Sequence, residues 1–218
     1  MILSENTLNV LKNFSAINNG MMFREGNVLR TMSNNRTIIA RAEVDDSFNR
    51  DFAIYDLPKF ISVLSLFEKP EVTFGADAAK IIADKQKMTY VYADPATIVT
   101  PPTKDFNLPE PEVIVSLTAS DLNHVMKASA VLQLPEIAIE GNGSVITLRA
   151  LDSKNPTSDD FSIEVGNTNR KFSCIFRAEN IKVMSDDYSV ELNSKRISKF
   201  TNGKITYWIA MEPASSFS

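Results

Sequence analysis

The residue types that most often carry chemistry are scarce in this sequence. His124 is the only histidine and Cys174 the only cysteine among 218 residues, whereas zinc sites and activated nucleophiles need several such side chains together. Gly141-Asn142-Gly143 lacks the further glycine and the lysine of a phosphate-binding loop. The aspartate pairs at 159–160 and 186–187 have the oxygen ligands that Mg²⁺ prefers, but paired acids in loops are usually solvated. We therefore predict no cofactor, no metal and no catalytic activity.

The charge balance gives no global signal for nucleic acid. Lys and Arg number 23 against 27 Asp and Glu, which leaves a formal net charge of −4, whereas typical DNA-binding domains are basic. The apolar stretch at 60–67 is too short to cross a bilayer. A soluble intracellular protein with no membrane partner is expected.

Five prolines divide the chain into two halves. They fall between Asp94 and Glu112, and proline cannot donate to a strand ladder and favours extended backbone before it. We predict an N-terminal domain over residues 1–93, an extended connector over 94–112 and a C-terminal domain over 113–218.

The two halves resemble each other. A shift of 114 residues lays Ser4–Asn9 over Thr118–Asn123, with Leu8 and Leu122 identical and a run of similar residues after them. Several matches in one order indicate an internal repeat. Each half is predicted to contain two units of similar plan.

Helical periodicity places polar residues on one side of two of the four predicted helices. Ser4 and Thr118 are good N-cap residues. In the first helix the apolar side carries Val10, Leu11, Phe14 and Ile17, and the polar side carries Asn9, Lys12, Asn13 and Ala16. In the third helix the polar side carries Asn123, Lys127 and Ala130. A second helix follows from the spacing of Leu57, Phe60, Ile61 and Leu64, and a short fourth is predicted over Ala178–Met184.

Alternating segments between these helices predict antiparallel strands. They cover residues 27–32, 37–44, 71–74, 80–83, 88–92, 162–165, 188–192 and 205–211, with a further hairpin of 137–139 and 145–148 around Gly141-Asn142-Gly143. The fold class is therefore α+β.

Three segments together resemble the DNA polymerase sliding clamps of T-even-type bacteriophages. These are Leu11–Asn18, Ala53–Leu57 with the following Leu64-Ser65-Leu66, and Ala93–Val99. The resemblance covers nearly the whole chain and is strongest in the first hundred residues. None of the segments is a catalytic signature, so its specificity comes from several matches in the right order.

The resemblance implies the DNA clamp fold: two similar domains per chain, each of two strand-helix-strand units, and a closed ring of six domains from three chains. Such a homotrimer encircles duplex DNA without reading its sequence and tethers the DNA polymerase. An ATP-dependent clamp loader and RNA polymerase-associated late transcription factors are implied as further partners. The implied location is the cytoplasm of the infected bacterial host.

The resemblance also assigns residues to two surfaces. Helices line the hole of the ring, so the residues expected to face DNA are Lys12, Lys127, Asn9, Asn123, Lys59 and Lys182. A hydrophobic pocket on each subunit takes a partner's peptide tail. Its expected walls are the connector and the last strand with its tail, through Ile98, Val99, Pro101, Met211 and Pro213.

Other interpretations of the same residues remain open. A lone lysine on a helix is often merely solvated, and Ile98 and Val99 could simply pin the connector against the sheet. The chain could be a non-ring DNA-binding accessory protein of replication. A single-strand binder of this kind needs a basic groove with interleaved aromatic side chains, whereas the net charge of this chain is −4. A nuclease that uses the paired aspartates lacks a clustered carboxylate site in the sequence.

Overall fold

The computed structural model describes residues 1–104 and 108–218; residues 105–107 of the predicted connector lie outside the described residues. The chain divides into two compact units, Met1–Lys104 and Asp105–Ser218.

Unit 1 packs two helices against short antiparallel sheets. Its elements in chain order are α1 (Glu5–Ile17), β1 (Met21–Phe23), β2 (Gly26–Met32), β3 (Ile38–Phe48), β4 (Phe52–Ile54), α2 (Leu57–Leu64), β5 (Glu71–Phe74), β6 (Ala78–Ala83) and β7 (Gln86–Val91). Strand β1 pairs with β4, β2 with β3, and β5, β6 and β7 form a three-stranded sheet. A 3₁₀ turn, Pro95–Thr97, interrupts the connector that was predicted to be extended.

The core of unit 1 contains a stack of aromatic rings. Phe52 stacks on Phe23 at 4.5 Å, on Phe74 at 4.7 Å and on Tyr92 at 4.8 Å between ring centroids. These rings come from β1, β4, β5 and the segment after β7, so sequence-distant strands meet through them. Offset ring contacts of this kind stabilise a core beyond the burial of their area.

Unit 2 contains one α-helix among its described residues. Its elements are β8 (Val113–Leu117), α3 (Ala119–Leu132), β9 (Glu136–Asn142), β10 (Val145–Leu151), β11 (Phe161–Asn167), β12 (Lys171–Arg177), β13 (Tyr188–Leu192), β14 (Ile197–Thr201), β15 (Ile205–Ala210) and β16 (Ser216–Phe217). One sheet runs in the order β11-β10-β9-β12-β16, and β15, β14, β13 and β8 are neighbours in another. The α+β class and the predicted hairpin of β9 and β10 are confirmed.

The prediction of a fourth helix over Ala178–Met184 is wrong. Only Ala178–Asn180 forms a 3₁₀ turn, and the residues up to 187 form neither helix nor strand. The backbone N–H of Met184 donates to the Tyr207 hydroxyl (3.2 Å), and the Met184 carbonyl accepts from the Tyr188 hydroxyl (2.9 Å). Tyrosine side chains thus bind backbone groups of Met184 that a helix would have paired.

Candidate DNA-facing and partner-binding surfaces

Two hydrogen bonds fix the N-terminus of helix α1, which carries the exposed Lys12. The Ser4 hydroxyl accepts a hydrogen bond from the Thr7 backbone N–H at 3.1 Å, and the Ser4 N–H donates to Asp46 of β3 at 2.8 Å. Burial raises the pKa of the Asp46 carboxyl, but hydrogen bonds from Thr7 and Ser4 outweigh it, so the pKa lies below its usual value. A carboxylate near a helix N-terminus also complements the helix dipole.

The rotation of α1 matches the predicted faces. The apolar residues of the predicted inner side are at most 6% exposed: Val10, Leu11, Phe14 and Ile17. Asn9, Lys12 and Ala16 are exposed. One predicted DNA-facing pair, Asn9 and Lys12, thus lies on an exposed helix surface of unit 1.

Helix α3 has the same arrangement in unit 2. The Thr118 hydroxyl caps it by accepting from the Asp121 N–H at 3.1 Å. Asn123 and Lys127 are exposed, and the Asn123 amide donates to the Ser185 hydroxyl at 2.8 Å. Asn123 therefore already has a structural partner. Lys127 is the exposed lysine of α3.

The two remaining lysines behave differently from each other. Lys59 is exposed in the first turn of α2, whose cap is Asp56; the Asp56 carboxylate accepts from the Lys59 N–H at 2.9 Å. Lys182 lies in the irregular segment that replaces the predicted fourth helix, is half-buried and has interaction partners of its own. Its placement on a helix face was wrong.

The five residues predicted to line a peptide pocket differ in exposure. Ile98 and Met211 are 8% and 6% exposed, Pro101 is half-buried, and Val99 and Pro213 are exposed. Ile98, Val99 and Pro101 belong to unit 1, and Met211 and Pro213 belong to unit 2. A pocket built from both groups stays a prediction.

Ile98 anchors the connector within unit 1. A Cβ atom added to Gly20 would lie 3.0 Å from the Ile98 Cδ1 atom, so the absence of a side chain at Gly20 makes room for Ile98. The Asn18 amide donates to the carbonyls of Met32 at 2.9 Å and Val99 at 3.4 Å. These contacts fit the interpretation that Ile98 and the Val99 backbone pin the connector, while the Val99 side chain is 41% exposed.

A groove between α1 and α2 was not predicted from the sequence. It has a volume of about 370 Å³ and an apolar lining that includes Leu8, Leu64 and Phe67. Lys12 and Lys69 are the cations that line it. Leu8 follows the helical period, but its neighbours Ile2 and Phe67 flank the helices, so periodicity alone could not reveal this cavity.

The paired aspartates make structural hydrogen bonds. Asp160 accepts from the Arg149 guanidinium at 3.0 Å, and Asp187 accepts from the Ala119 N–H at the start of α3 at 2.8 Å. Asp186 accepts from the Asn202 amide at 2.7 Å. Among residues 1–104 and 108–218, no group of three or more His, Cys, Asp or Glu side chains is arranged to hold a metal ion.

Two family models match the chain one after the other. The model described as DNA polymerase processivity factor matches residues 4–100, and the model described as gp45 sliding clamp, C terminal, matches residues 114–213. The sliding clamp of Vibrio phage KVP40 is 36% identical over 220 residues, which cover 97% of this chain and 99% of that protein. The chain belongs to the phage sliding clamp family.

Further comparisons agree with this sliding clamp assignment. The sliding clamp of Escherichia phage RB69 is 32% identical over 228 residues, with 99% of both chains covered. A solved structure of A. fulgidus PCNA bound to the C-terminal region of FEN-1 has a TM-score of 0.71 and 11% identity, with 96% of each chain covered. At that identity the likeness concerns the fold, and it confirms the predicted clamp fold. No helix in the part of the chain that the structure describes is long and apolar enough to cross a membrane.

Proposed function

We propose that this sliding clamp works as a homotrimeric ring that encircles duplex DNA and tethers the replicative DNA polymerase. The observation that carries the proposal is the repeated helix: α1 and α3 each have a side-chain cap, a buried apolar side and an exposed lysine, Lys12 in one unit and Lys127 in the other. A chain with two clamp-like units supplies a third of a six-domain ring. Head-to-tail contacts close such a ring by rotation.

The modest charge of these helices suits a ring that slides. Each phosphate neutralised by a cation adds salt-dependent binding energy, so a strongly basic lining would hold the ring in place. One lysine on each exposed helix surface supplies weak attraction without the paired donors that read bases. Retention on DNA then depends on topology, and a net charge of −4 is no obstacle.

The clamp would perform no catalysis itself. We propose that ATP is used by a separate clamp loader that opens the ring, and that polymerase docks through a peptide tail in a pocket to which Val99 contributes. Exposed apolar side chains near a connector are suited to such a contact, since a few anchors dominate peptide binding. Binding to late transcription factors stays a prediction of the family resemblance. The same holds for a location in the cytoplasm of the infected host.

A polymerase assay with a mass measurement tests this function. Sedimentation equilibrium should give a mass three times the 24.3 kDa of one chain. With loader, ATP and primed circular DNA, the clamp should lengthen the product that polymerase makes in one binding event. A monomer at all concentrations would contradict the ring and favour a non-ring accessory protein; unchanged product length would contradict the tether.

A further inference from the structure

The groove between α1 and α2 has the size of a small-molecule site. Its volume of about 370 Å³ lies at the lower end of the range of such pockets, about 300–1,000 Å³. Three of the side chains that line it, Leu3, Leu64 and Val72, are at most 8% exposed. Leu8 of α1 and Phe67 after α2 are half-buried and line it as well. The groove therefore offers apolar surface to one small ligand.

Backbone hydrogen bonds hold the walls of this groove in place. The Met1 amino group donates to the Val72 carbonyl and the Val72 N–H donates to the Met1 carbonyl, both at 2.7 Å, so the segment that contains Leu3 is held beside β5. After α2, the Phe67 N–H donates to the Leu64 carbonyl at 3.3 Å, which continues the helical turn. Because the walls are already fixed, a ligand loses little affinity to the ordering of its site.

The charged residues of the groove favour an anion. Lys12, Lys69 and Glu5 line it, which gives the lining a net charge of +1. Neither lysine forms an ion pair within residues 1–104 and 108–218. Along α1, Glu5 and Lys12 are two helical turns apart, or about 10 Å at 1.5 Å per residue. An anionic group beside Lys12 thus stays clear of the Glu5 carboxylate.

A hydrogen-bond donor lies next to this lysine. Asn9 precedes Lys12 by three residues, so both side chains project from the same side of α1, and both line the groove. The amide of Asn9 can donate to a carboxylate oxygen, and a bond to an ionised acceptor is stronger than one between neutral groups. One end of an apolar groove therefore carries a donor and a cation.

We propose that this groove binds one free fatty acid of medium chain length. The acyl chain lies against Leu8, Leu64 and Phe67, and the carboxylate is bound by Lys12 and Asn9. Each methylene group that leaves water stabilises the complex, and the polar end fixes the orientation of the chain. A bilayer presents a broad surface, whereas a concave site of this volume encloses a single chain. The site lies wholly within unit 1 and does not depend on the proposed ring.

Chain length tests the apolar part of the site. Isothermal titration of the parent protein with decanoate, below the concentration at which decanoate forms micelles, should show saturable binding of one molecule per chain. Octanoate should bind more weakly and dodecanoate more tightly, by up to about fourfold for each methylene group that is buried. Bound decanoate should also raise the midpoint of thermal unfolding, since a ligand of the folded state stabilises it.

Charge reversal tests the head group. Lys12→Glu should weaken decanoate binding by about fivefold or more, since it replaces attraction by repulsion. The same variant should bind decanol within about twofold of the parent protein, because decanol has the chain without the charge. Lys59→Glu is the matched control: Lys59 is exposed on α2, does not line the groove, and its replacement changes the net charge equally.

A change in the lining tests the position of the chain. Leu8→Ser should weaken decanoate and decanol alike, by about tenfold, since it removes apolar contact. Ile82→Ser, at a 41% exposed residue of β6 outside the groove, is the control and should leave both affinities unchanged. Ser65→Phe fills the groove from an exposed position of its lining and should have the same effect as Leu8→Ser, so a failure of Leu8→Ser to fold leaves the test intact.

Four results would overturn the proposal. Without saturable decanoate binding to the parent protein, the groove is not a fatty acid site. Equal decanoate affinity of Lys12→Glu and the parent protein would show that the groove does not bind the carboxylate. Unchanged affinity in Ser65→Phe would place the ligand elsewhere. Binding to phosphatidylglycerol vesicles that is lost in Ser65→Phe would assign the groove to a membrane surface. None of these results bears on the homotrimeric ring, whose mass is measured separately.

Discussion

The Ser4 backbone N–H donates to the Asp46 carboxylate at 2.8 Å, which joins the cap of α1 to strand β3. A comparable bond joins the Ala119 N–H to Asp187 at 2.8 Å at the start of α3. In both units an aspartate distant in sequence fixes the first turn of the helix that carries an exposed lysine. These bonds set where the helices begin, and through the helical period they set where Lys12 and Lys127 point.

The Asp46 bond should make stability depend on pH. Its folded pKa lies below the usual value, so its contribution is present above about pH 4 and is lost as the pH falls through the folded pKa. We expect Asp46→Asn to lower the free energy of unfolding near neutral pH and to flatten its loss as the pH falls below about 4 toward the folded pKa. Urea unfolding across this range measures both. An equally steep pH dependence in the variant would contradict this role, and Asp45→Asn is the neighbouring control.

Lys12 and Lys127 should act on DNA without regard to sequence. Changing both to Ala should shorten the retention of loaded clamp on circular DNA at low salt, with a smaller difference at high salt where phosphate attraction is screened. Sedimentation should show an intact trimer. Lys204→Ala is the control for loss of a surface lysine. Retention equal to that of the parent protein at low salt would show that these helix surfaces do not face DNA.

Substitutions at Ile98 and Val99 should have different effects, the first on the free energy of unfolding and the second on partner binding. Val99→Ser changes a side chain that is 41% exposed, and it should lower affinity for a polymerase tail peptide about tenfold, or about 1.4 kcal/mol, with little change in unfolding. Ile98→Ala removes buried methyl groups and should cost about 2–4 kcal/mol of unfolding free energy. Calorimetric titration and urea unfolding measure the two effects.

The exposed Ile114 supplies a control for the peptide experiment. Ile114→Ser changes a side chain that is 60% exposed on β8 of unit 2, whereas Val99 belongs to unit 1. It should leave tail affinity unchanged. Equal losses from Val99→Ser and Ile114→Ser would point to a general effect of surface polarity and would remove Val99 from the pocket.

Cys174 should be inert in the folded protein. Burial, with a further effect of the Glu112 charge, raises the pKa of its thiol to about 12. Because the thiolate is the reactive form, we expect negligible alkylation by iodoacetamide at pH 8 in the native protein and full alkylation in urea. Rapid native labelling would show that the strand opens readily.

Helix positions could be predicted from sequence where local signals agreed. Ser4 and Thr118 carry capping side chains before apolar residues of helical period, and both helices begin within one residue of the caps. Strands Glu71–Phe74 and Tyr188–Leu192 have the predicted bounds because alternation and flanking turns mark them locally. These elements depend little on distant partners.

The errors arose where distant residues decide the conformation. The segment after Asn180 is not helical because Tyr188 and Tyr207 bind the backbone of Met184. The short strand Ser216–Phe217 was not predicted, since it exists through pairing with Phe172 and Ser173. The candidate site also has features of both kinds. The exposure of Lys12 follows from the local helical period, whereas the burial of Ile98 depends on its contact with the distant Gly20.

Release of the clamp from cut DNA tests the central claim most directly. Clamp is loaded onto a nicked circular plasmid with loader and ATP, free protein is removed by gel filtration, and one half of the sample is linearised by a single-site nuclease. A ring held by topology should stay on the circle for many minutes and leave the linear DNA by sliding off its ends, and blocking both ends with bound protein should restore retention. Equal retention on open-ended linear and circular DNA would contradict the encircling ring and indicate a clamp held by direct contacts.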